Sequence, residues 1–324
     1  MQSKAPAELY RERFPTSAQD VLGALHDLYV YLDGRFLRRD EAAVSVWEHS
    51  FLYGDGVFEG IRAYDGRIFK LDKHLSRLLE SAKSLDLAVP LSKKELAEVV
   101  SATFAVNGLK EGHMRLTVTR GVGTMGLNPR NSKACSVVAM AYPFAPLLGD
   151  KAVRLITSTV RRRRCDSVDA KIKSANYLEN ILAKIQSNNA KYDDALMLDH
   201  NGHVAEATAM NIFACHKEKW STPTTVACLD GVTRQVVIDL LRGLGTAVVV
   251  RDISLHELYI ADEVFCTGTG AEIVPVESVD GRVIGDGAPG PVTKTIIKQY
   301  RELTREGVAI QEFGLVSDIG ESAL

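Results

Sequence analysis

A lysine, a phenol and a carboxylate fall close together in one stretch of this chain. Lys171-Ile-Lys-Ser-Ala-Asn-Tyr-Leu-Glu-Asn180 sets two lysines ahead of a helical pattern, with Tyr177 four residues after Lys173. A helix beginning near Ser174 places Lys173 and Tyr177 on one face. The turn pair Asn201-Gly202 then sends back Val204-Ala-Glu-Ala-Thr-Ala-Met-Asn-Ile-Phe213, a largely apolar run whose one charge is Glu206. An amine can attack a carbonyl, a phenol can hydrogen-bond to the product, and a carboxylate can hold a cation. Each residue alone also has a plain structural reading. Most lysines are solvated, and a glutamate between alanines is often the outward face of a strand.

An aldehyde cofactor such as pyridoxal phosphate makes three demands on its protein: an amine for a Schiff base, an anion for the ring nitrogen and a cup for the phosphate. Lys173 or its neighbour Lys171, Glu206 and two further stretches answer them. Gly231-Val232-Thr233 stands at the start of a helical pattern, where free N–H groups and the helix dipole favour an anion. Thr267-Gly-Thr-Gly270 follows the apolar run Val264-Phe-Cys266, and its glycines permit close backbone approach. A cationic partner is also expected, Arg77 being one of several available. Tyr177 is placed to contact the ring oxygen. The glycine-rich Gly121-Val-Gly-Thr-Met-Gly-Leu-Asn-Pro129 lacks Walker spacing and a strand-then-helix setting, so it reads as a mobile lid or interdomain loop.

The elements that must position these groups form a mixed α and β chain in two domains. Residues 1–27 form an extension, in which 18–26 has a short helical pattern. A small α+β domain over 28–143 begins with two hairpins turning at Asp33-Gly34 and Asp65-Gly66. Asp72 is placed to cap the helix that follows, and Ser92-Lys-Lys-Glu95 is a capping box for the next. Pro143-Phe-Ala-Pro-Leu-Leu-Gly149 interrupts the strand pattern and marks a linker at 144–150. The larger domain, 151–324, carries helices over 177–185, 232–241 and 291–300 among several strands. Hairpins interspersed with helices imply a mixed sheet, not a doubly wound parallel one.

The composition is ordinary for a globular protein, with 46% hydrophobic and 25% charged residues. With Lys plus Arg at 39 and Asp plus Glu at 41, the net charge is −2, which gives no pull toward nucleic acid or an anionic membrane. The one basic cluster, Arg161-Arg-Arg-Arg164, alternates on a strand, two toward solvent and two toward something anionic. Its 5 cysteines are scattered without CxxC spacing, which suits buried free thiols and indicates neither a metal site nor a disulfide framework. The chain has no apolar run of about 18 residues, and its first residues are charged and broken by proline, so the cytoplasm is the expected location.

Five stretches, in order, resemble the class IV aminotransferases, pyridoxal-phosphate enzymes of fold type IV, and among them the branched-chain amino acid branch. They are Phe51-Leu-Tyr-Gly-Asp-Gly-Val-Phe-Glu-Gly-Ile-Arg62, Arg115-Leu-Thr-Val-Thr-Arg-Gly121, Lys173-Ser-Ala-Asn-Tyr177, Leu229-Asp-Gly-Val-Thr-Arg234 and Ala261-Asp-Glu-Val-Phe-Cys-Thr-Gly-Thr-Gly-Ala-Glu272. The resemblance, which runs from about Tyr29 to Glu306, implies a larger domain with a barrel-like sheet that binds pyridoxal 5'-phosphate. It selects Lys173 over Lys171 as the Schiff-base lysine through the pattern Lys-x-x-Asn. It places Tyr177 at the ring oxygen, Glu206 at the ring nitrogen, and Arg77, Val232, Thr233, Gly268 and Thr269 at the phosphate. On the substrate side it implies Tyr53, Phe58, Arg62, His113, Arg115, Phe144, Gly270 and Ala271, with Arg115 taking the side-chain carboxylate of glutamate.

Three departures from the family pattern bear on the pocket. His113 stands where a phenol is common, Ala207 and Met210 replace a glycine-rich pattern in a way that narrows or shifts the cofactor pocket, and Leu147 replaces a linker tyrosine. The implied activity is ping-pong transamination of leucine, isoleucine and valine with 2-oxoglutarate, by a homodimer or larger homo-oligomer. A D-amino-acid or (R)-amine aminotransferase, an aminodeoxychorismate lyase, and a cofactor-binding protein without turnover are the alternatives.

Overall fold

The computed structural model describes residues 28–143, 148 and 151–311. The helical pattern at 18–26, Phe144 and Leu147 lie outside the described residues. In chain order the elements are β1 (Tyr29–Leu32), β2 (Arg35–Arg38), α1 (His49–Tyr53), β3 (Gly56–Tyr64), β4 (Arg67–Ile68), α2 (Leu71–Ser84), α3 (Lys93–Val106), β5 (Gly112–Thr119) and β6 (Ser136–Tyr142). There follow β7 (Val153–Arg161), α4 (Leu178–Asn189), β8 (Asp194–Leu198), β9 (Val204–Ala207), β10 (Asn211–His216), β11 (Lys219–Thr222) and α5 (Val232–Gly243). The chain continues with β12 (Val248–Val250), α6 (Leu255–Tyr259), β13 (Glu263–Gly268), β14 (Glu272–Val279), β15 (Arg282–Val283), α7 (Pro291–Leu303) and β16 (Val308–Ala309).

The first sheet has the order β16-β4-β3-β5-β6-β1-β2 and is antiparallel throughout. Its inward residues Ile61, Met114, Leu116, Val118 and Ala139 alternate along their strands and meet Leu75, Leu78, Leu96, Val100 and Phe104 from α2 and α3. The capping box at the start of α3 forms as expected, Ser92 and Glu95 bonding reciprocally. Asp72 does not cap α2. The strand pairing ends at Ile68, Lys70 turns the chain in a left-handed conformation (φ 49°) and becomes the N-cap, and Asp72 sits inside the first turn. The short β16 returns from the far end of the chain to edge the first sheet, so the C-terminal segment does not stay with the second half.

The second sheet has the order β12-β11-β10-β13-β14-β7-β8-β9, with β15 added to β14. Its pairs β11–β12, β14–β7 and β7–β8 are parallel and the rest antiparallel, so the sheet is mixed. Edge strand β9 is only three residues from β10, which lies well inside the sheet, and Ala207 N donates to Met210 O across that turn. Val204 N of β9 also bonds to Ile253 O, just past the opposite edge strand. Such closure requires the sheet to curl into a half-barrel.

Alternation then sorts the side chains. Ile212, Ala214, Val264, Cys266, Val274 and Val276 fill the barrel, while Phe213, Cys215, Trp220 and Phe265 face outward under α5 and α7. Both faces are covered, which is why these strands read as continuous apolar runs. All five cysteines are free thiols, three of them buried. No helix among the described residues is long and apolar enough to cross a membrane.

Candidate active site

A cavity of about 310 Å³ opens between the two sheets, lined from the first by β3, α2 and β5 and from the second by the segments around 173, 206, 231 and 269. Lys173 is half-buried in its wall, and its Nζ donates to Tyr177 Oη at 3.0 Å. The helical face expected to align them does not exist. Residues 171–176 are irregular, Tyr177 is the N-cap of α4, and the helix begins at Leu178. Long-range pairing overrides the local pattern: Phe58 N donates to Lys173 O (2.9 Å), Ala175 N to Gly56 O (2.8 Å), and Ser174 bridges Val57. This segment is therefore clamped to β3. The lysine amine lies 4.5 Å from the centre of the Phe58 ring. Lys171 is exposed, pairs with Asp169 at 3.3 Å and faces a different groove.

Glu206 occupies β9 on the cavity side and is buried. Arg162 Nη2 lies 2.9 Å from one carboxylate oxygen, and Leu229 N donates to the other at 3.2 Å. Burial pushes the carboxyl above its ordinary value, while Arg162 and the Leu229 amide oppose that push. The arginine run does not alternate on a strand as expected: β7 ends at Arg161, the consecutive Arg162 and Arg163 line the cavity, and Arg161 and Arg164 are exposed.

Another part of the cavity wall is the start of α5 at Val232, with Gly231 as an N-cap that supplies no side-chain bond. The first N–H groups of that helix thus stay available beside Thr233, Gly268, Thr269, Gly270 and Ala271, all of which line the cavity. A Cβ at Gly231 would collide with Asn211 Oδ1, so a larger residue there would force the Asn211 side chain to shift. Arg77 also lines the cavity and is held by Glu59 through two bonds of 2.7 and 2.8 Å and by Asp230 O at 2.8 Å. Burial alone would raise the Glu59 carboxyl, but Arg77 and His74 outweigh it and hold it at about 2. His74 is pushed toward its neutral form by burial, and because the ionised Glu59 can only accept, His74 Nδ1 donates to it at 2.8 Å. The guanidinium is thereby fixed, with its charge balanced from behind.

The remaining wall carries Phe58, His113 and Arg115. The Arg115 guanidinium lies 3.6 Å from the Phe58 ring centre and has no carboxylate partner among the described residues. His113 is driven down to about 4 by burial, with Arg62, His74, Lys173 and Arg115 adding positive charge around it, so it is neutral near pH 7.

Two expected substrate residues lie elsewhere. Arg62 is buried in an ion pair with Glu272 at 3.0 Å and does not line the cavity; it shares a strand face with Phe58 and Gly60, which do, but lies farther along β3. Tyr53 on α1 accepts a bond from Gly126 N at 2.8 Å, which anchors the glycine-rich loop together with Glu48 and Gly121 N. Ala207 and Met210 also do not narrow the cavity: they belong to the barrel core, and Thr208 and Ala209 take the lining positions.

Pyridoxal 5'-phosphate fits these residues on one further observation. Thr267 lines the cavity, is 1% exposed, and its hydroxyl has no hydrogen-bond partner among the described residues, a state that asks for a ligand. The motif Thr-Gly-Thr-Gly pointed to this turn without singling out that hydroxyl. A half-buried lysine, a paired buried carboxylate and a free helix N-terminus in one cleft between an antiparallel and a mixed sheet fit an enzyme that works through a phosphorylated aldehyde.

The comparisons specify the class. The family model for amino-transferase class IV matches residues 56–279, and the chain belongs to that family; it is an aminotransferase. A Methanocaldococcus jannaschii protein, provisionally named a branched-chain-amino-acid aminotransferase, is 46% identical over 285 residues, 87% of this chain and 99% of the relative. The branched-chain-amino-acid aminotransferase of Pseudomonas aeruginosa is 36% identical over 286 residues, 86% of this chain and 93% of its own. The crystal structure of the T.th. branched-chain amino acid aminotransferase complexed with N-(5'-phosphopyridoxyl)-L-glutamate superposes with a TM-score of 0.82 at 36% identity, over 86% of this chain and 95% of that one.

Proposed function

We propose that this chain is a pyridoxal 5'-phosphate-dependent aminotransferase that moves the amino group of leucine, isoleucine or valine to 2-oxoglutarate. The observation that carries this reading is the Lys173–Tyr177 pair, 3.0 Å apart, in a cavity that Glu206 and the free N-terminus of α5 also line. When bound, the cofactor supplies the electron sink that lets a proton leave Cα of the amino acid. Arg77, Thr233, Thr269 and the amides of Val232 and Gly268 hold its phosphate, and Glu206 holds its ring nitrogen. Lys173 Nζ is the base that takes the Cα proton, and Tyr177 Oη keeps that amine turned into the cavity. The names of the relatives support branched-chain substrates, and the T.th. complex supports glutamate as the other partner.

Phe58 offers an apolar side chain its wall, and Arg115 stands at the edge for a carboxylate. Arg115→Gln is therefore expected to raise KM for glutamate and 2-oxoglutarate by roughly 10–100-fold, the worth of a charge-assisted bond. The kcat/KM for leucine should stay within about threefold. An equal loss for both substrates in steady-state assays removes Arg115 from this role.

The reading is tested by incubating the protein with pyridoxal phosphate, leucine and 2-oxoglutarate and measuring glutamate. Glutamate formation supports it. A protein that turns yellow without forming glutamate leaves the D-amino-acid, (R)-amine or lyase readings, and one that stays colourless excludes the cofactor.

The assembly is a homodimer or a larger homo-oligomer. Leu178, Ile181, Leu182 and Ile185 are 68, 55, 45 and 47% exposed on one stripe of α4. An apolar helix face of this kind suits a twofold contact with a second copy. Ile181→Glu is expected to shift the protein toward monomer in sedimentation velocity, and an unchanged oligomer rules the stripe out as the contact. The balanced net charge of −2 and the five free cysteines support a cytoplasmic location.

A further inference from the structure

The arginine run Arg161–Arg164 has no role in the chemistry above, yet its second member lines the cavity and pairs with Glu206. Arg162 follows the last residue of β7, where its backbone N donates to Leu198 O of β8 at 2.9 Å. Its side chain is 6% exposed and makes four contacts. Nη2 pairs with Glu206 at 2.9 Å, Nη1 with Glu179 and with Asn180 Oδ1 (3.3 Å), and Nε donates to Ala227 O (3.3 Å). Glu179 and Asn180 lie in the first turn of α4, directly after Tyr177. Glu179 also accepts from Arg163 Nε at 2.8 Å, and Arg163 Nη2 donates to Asn176 O at 2.6 Å, inside the lysine segment.

We propose that Arg162 is the positioning residue that links Glu206 to the segment bearing Lys173 and Tyr177 and keeps Glu206 ionised for the ring nitrogen. The chain Glu179–Arg162–Glu206 spans the two ends of that arrangement with one planar guanidinium. Its fork geometry fixes both carboxylates, which a point charge does less well. The inference rests on the cofactor reading above.

Every charged or titratable group that faces Glu206 bears on this role. Glu206 meets Arg162 from the end of β7, Lys173 from the clamped segment, Glu179 from α4, and the Leu229 amide and Cys228 thiol from the loop before α5. Burial raises its carboxyl first, Arg162 is the largest opposing group, and Glu179 adds to the rise. Removing Arg162 leaves burial with less opposition. The carboxyl then keeps its proton to higher pH, and a neutral Glu206 no longer balances a cationic ring nitrogen.

The test compares Arg162→Met, Arg162→Lys and Glu179→Gln with the wild-type holoenzyme. The readouts are the pH dependence of the bound cofactor's absorbance, the cofactor Kd, and kcat and KM for leucine against pH. In Arg162→Met the acid limb of kcat should move up by about one pH unit or more. The same variant should lose roughly 10–100-fold in kcat with KM for leucine little changed. Arg162→Lys should recover the limb in part, because it restores charge without the fork, and Glu179→Gln should lower kcat without moving the limb upward. If Arg162→Met does not fold, Arg162→Lys decides: a profile superimposable on wild type overturns the proposal, as does a folded Arg162→Met with unchanged limb and spectrum. Failure of the cofactor reading looks different, because the wild type itself then shows no cofactor absorbance at any pH.

Discussion

Lys173→Ala is expected to cut transamination by at least about 10⁴-fold while leaving the fold intact. The loss combines a covalent anchor with the general base, and general acid–base catalysis alone contributes about 10²–10⁴. A factor of 10⁴ corresponds to about 5.5 kcal/mol of activation free energy. Stability should change far less. The segment is held by its backbone, Lys173 N to Ser81 Oγ at 3.2 Å and Lys173 O from Phe58 N, and alanine keeps both bonds. The side chain adds a cation over the Phe58 ring, worth about 0.5–1 kcal/mol at a site of this kind. Steady-state assays beside thermal melts check the prediction. A variant that retains activity within tenfold, or one that loses activity because it unfolds, contradicts it.

Glu206→Gln should be the second most damaging change at the site. Gln keeps the shape and can still accept from Leu229 N, but it removes the negative charge facing the ring nitrogen. Losing one preorganised electrostatic partner of a reacting group typically costs about 10²–10³ in kcat. The same substitution leaves Arg162 with one carboxylate, Glu179, in place of two. Because Glu179, Asn180 and Ala227 O remain, the stability loss should be about 1–3 kcal/mol, short of a buried charge left wholly unpaired. Denaturant titration and kcat measured on one preparation separate the two effects. If kcat stays within threefold of wild type, Glu206 does not serve the ring nitrogen.

The site was legible in the sequence where its parts are local. Gly231-Val232-Thr233 sits at a helix start, the Asn201-Gly202 turn returns Glu206, and the Thr267–Ala271 turn follows an apolar strand; each of these reads from neighbours in the chain. The parts that were misread depend on distant partners. Tyr177 is an N-cap because Lys173–Ala175 bonds to β3, more than a hundred residues earlier, and no local periodicity reports that. Arg62 pairs with Glu272 across 210 positions, a contact that its Gly-Ile-Arg motif does not report. Arg162 could be suspected of facing an anion, but only the closure of β9 against β8 and α4 shows which anions it meets. The two-residue strands β4 and β16 carry no period at all, which hid the return of residues 308–309 to the first sheet.

The curled second sheet follows from one constraint that the sequence already held. A three-residue turn between β9 and β10 is too short to cross a flat sheet in the observed strand order. Curling brings Glu206, the α5 N-terminus and the Thr267 turn to one rim, and the first sheet closes over them with Phe58, Arg77 and Arg115.

We propose Lys173 as the amine that holds pyridoxal phosphate. Incubation with the cofactor, reduction with borohydride and peptide mass mapping test it most directly. One pyridoxyl label per chain is expected, on Lys173, absent from the Lys173→Ala variant. A label on Lys171, or none on either lysine, contradicts it.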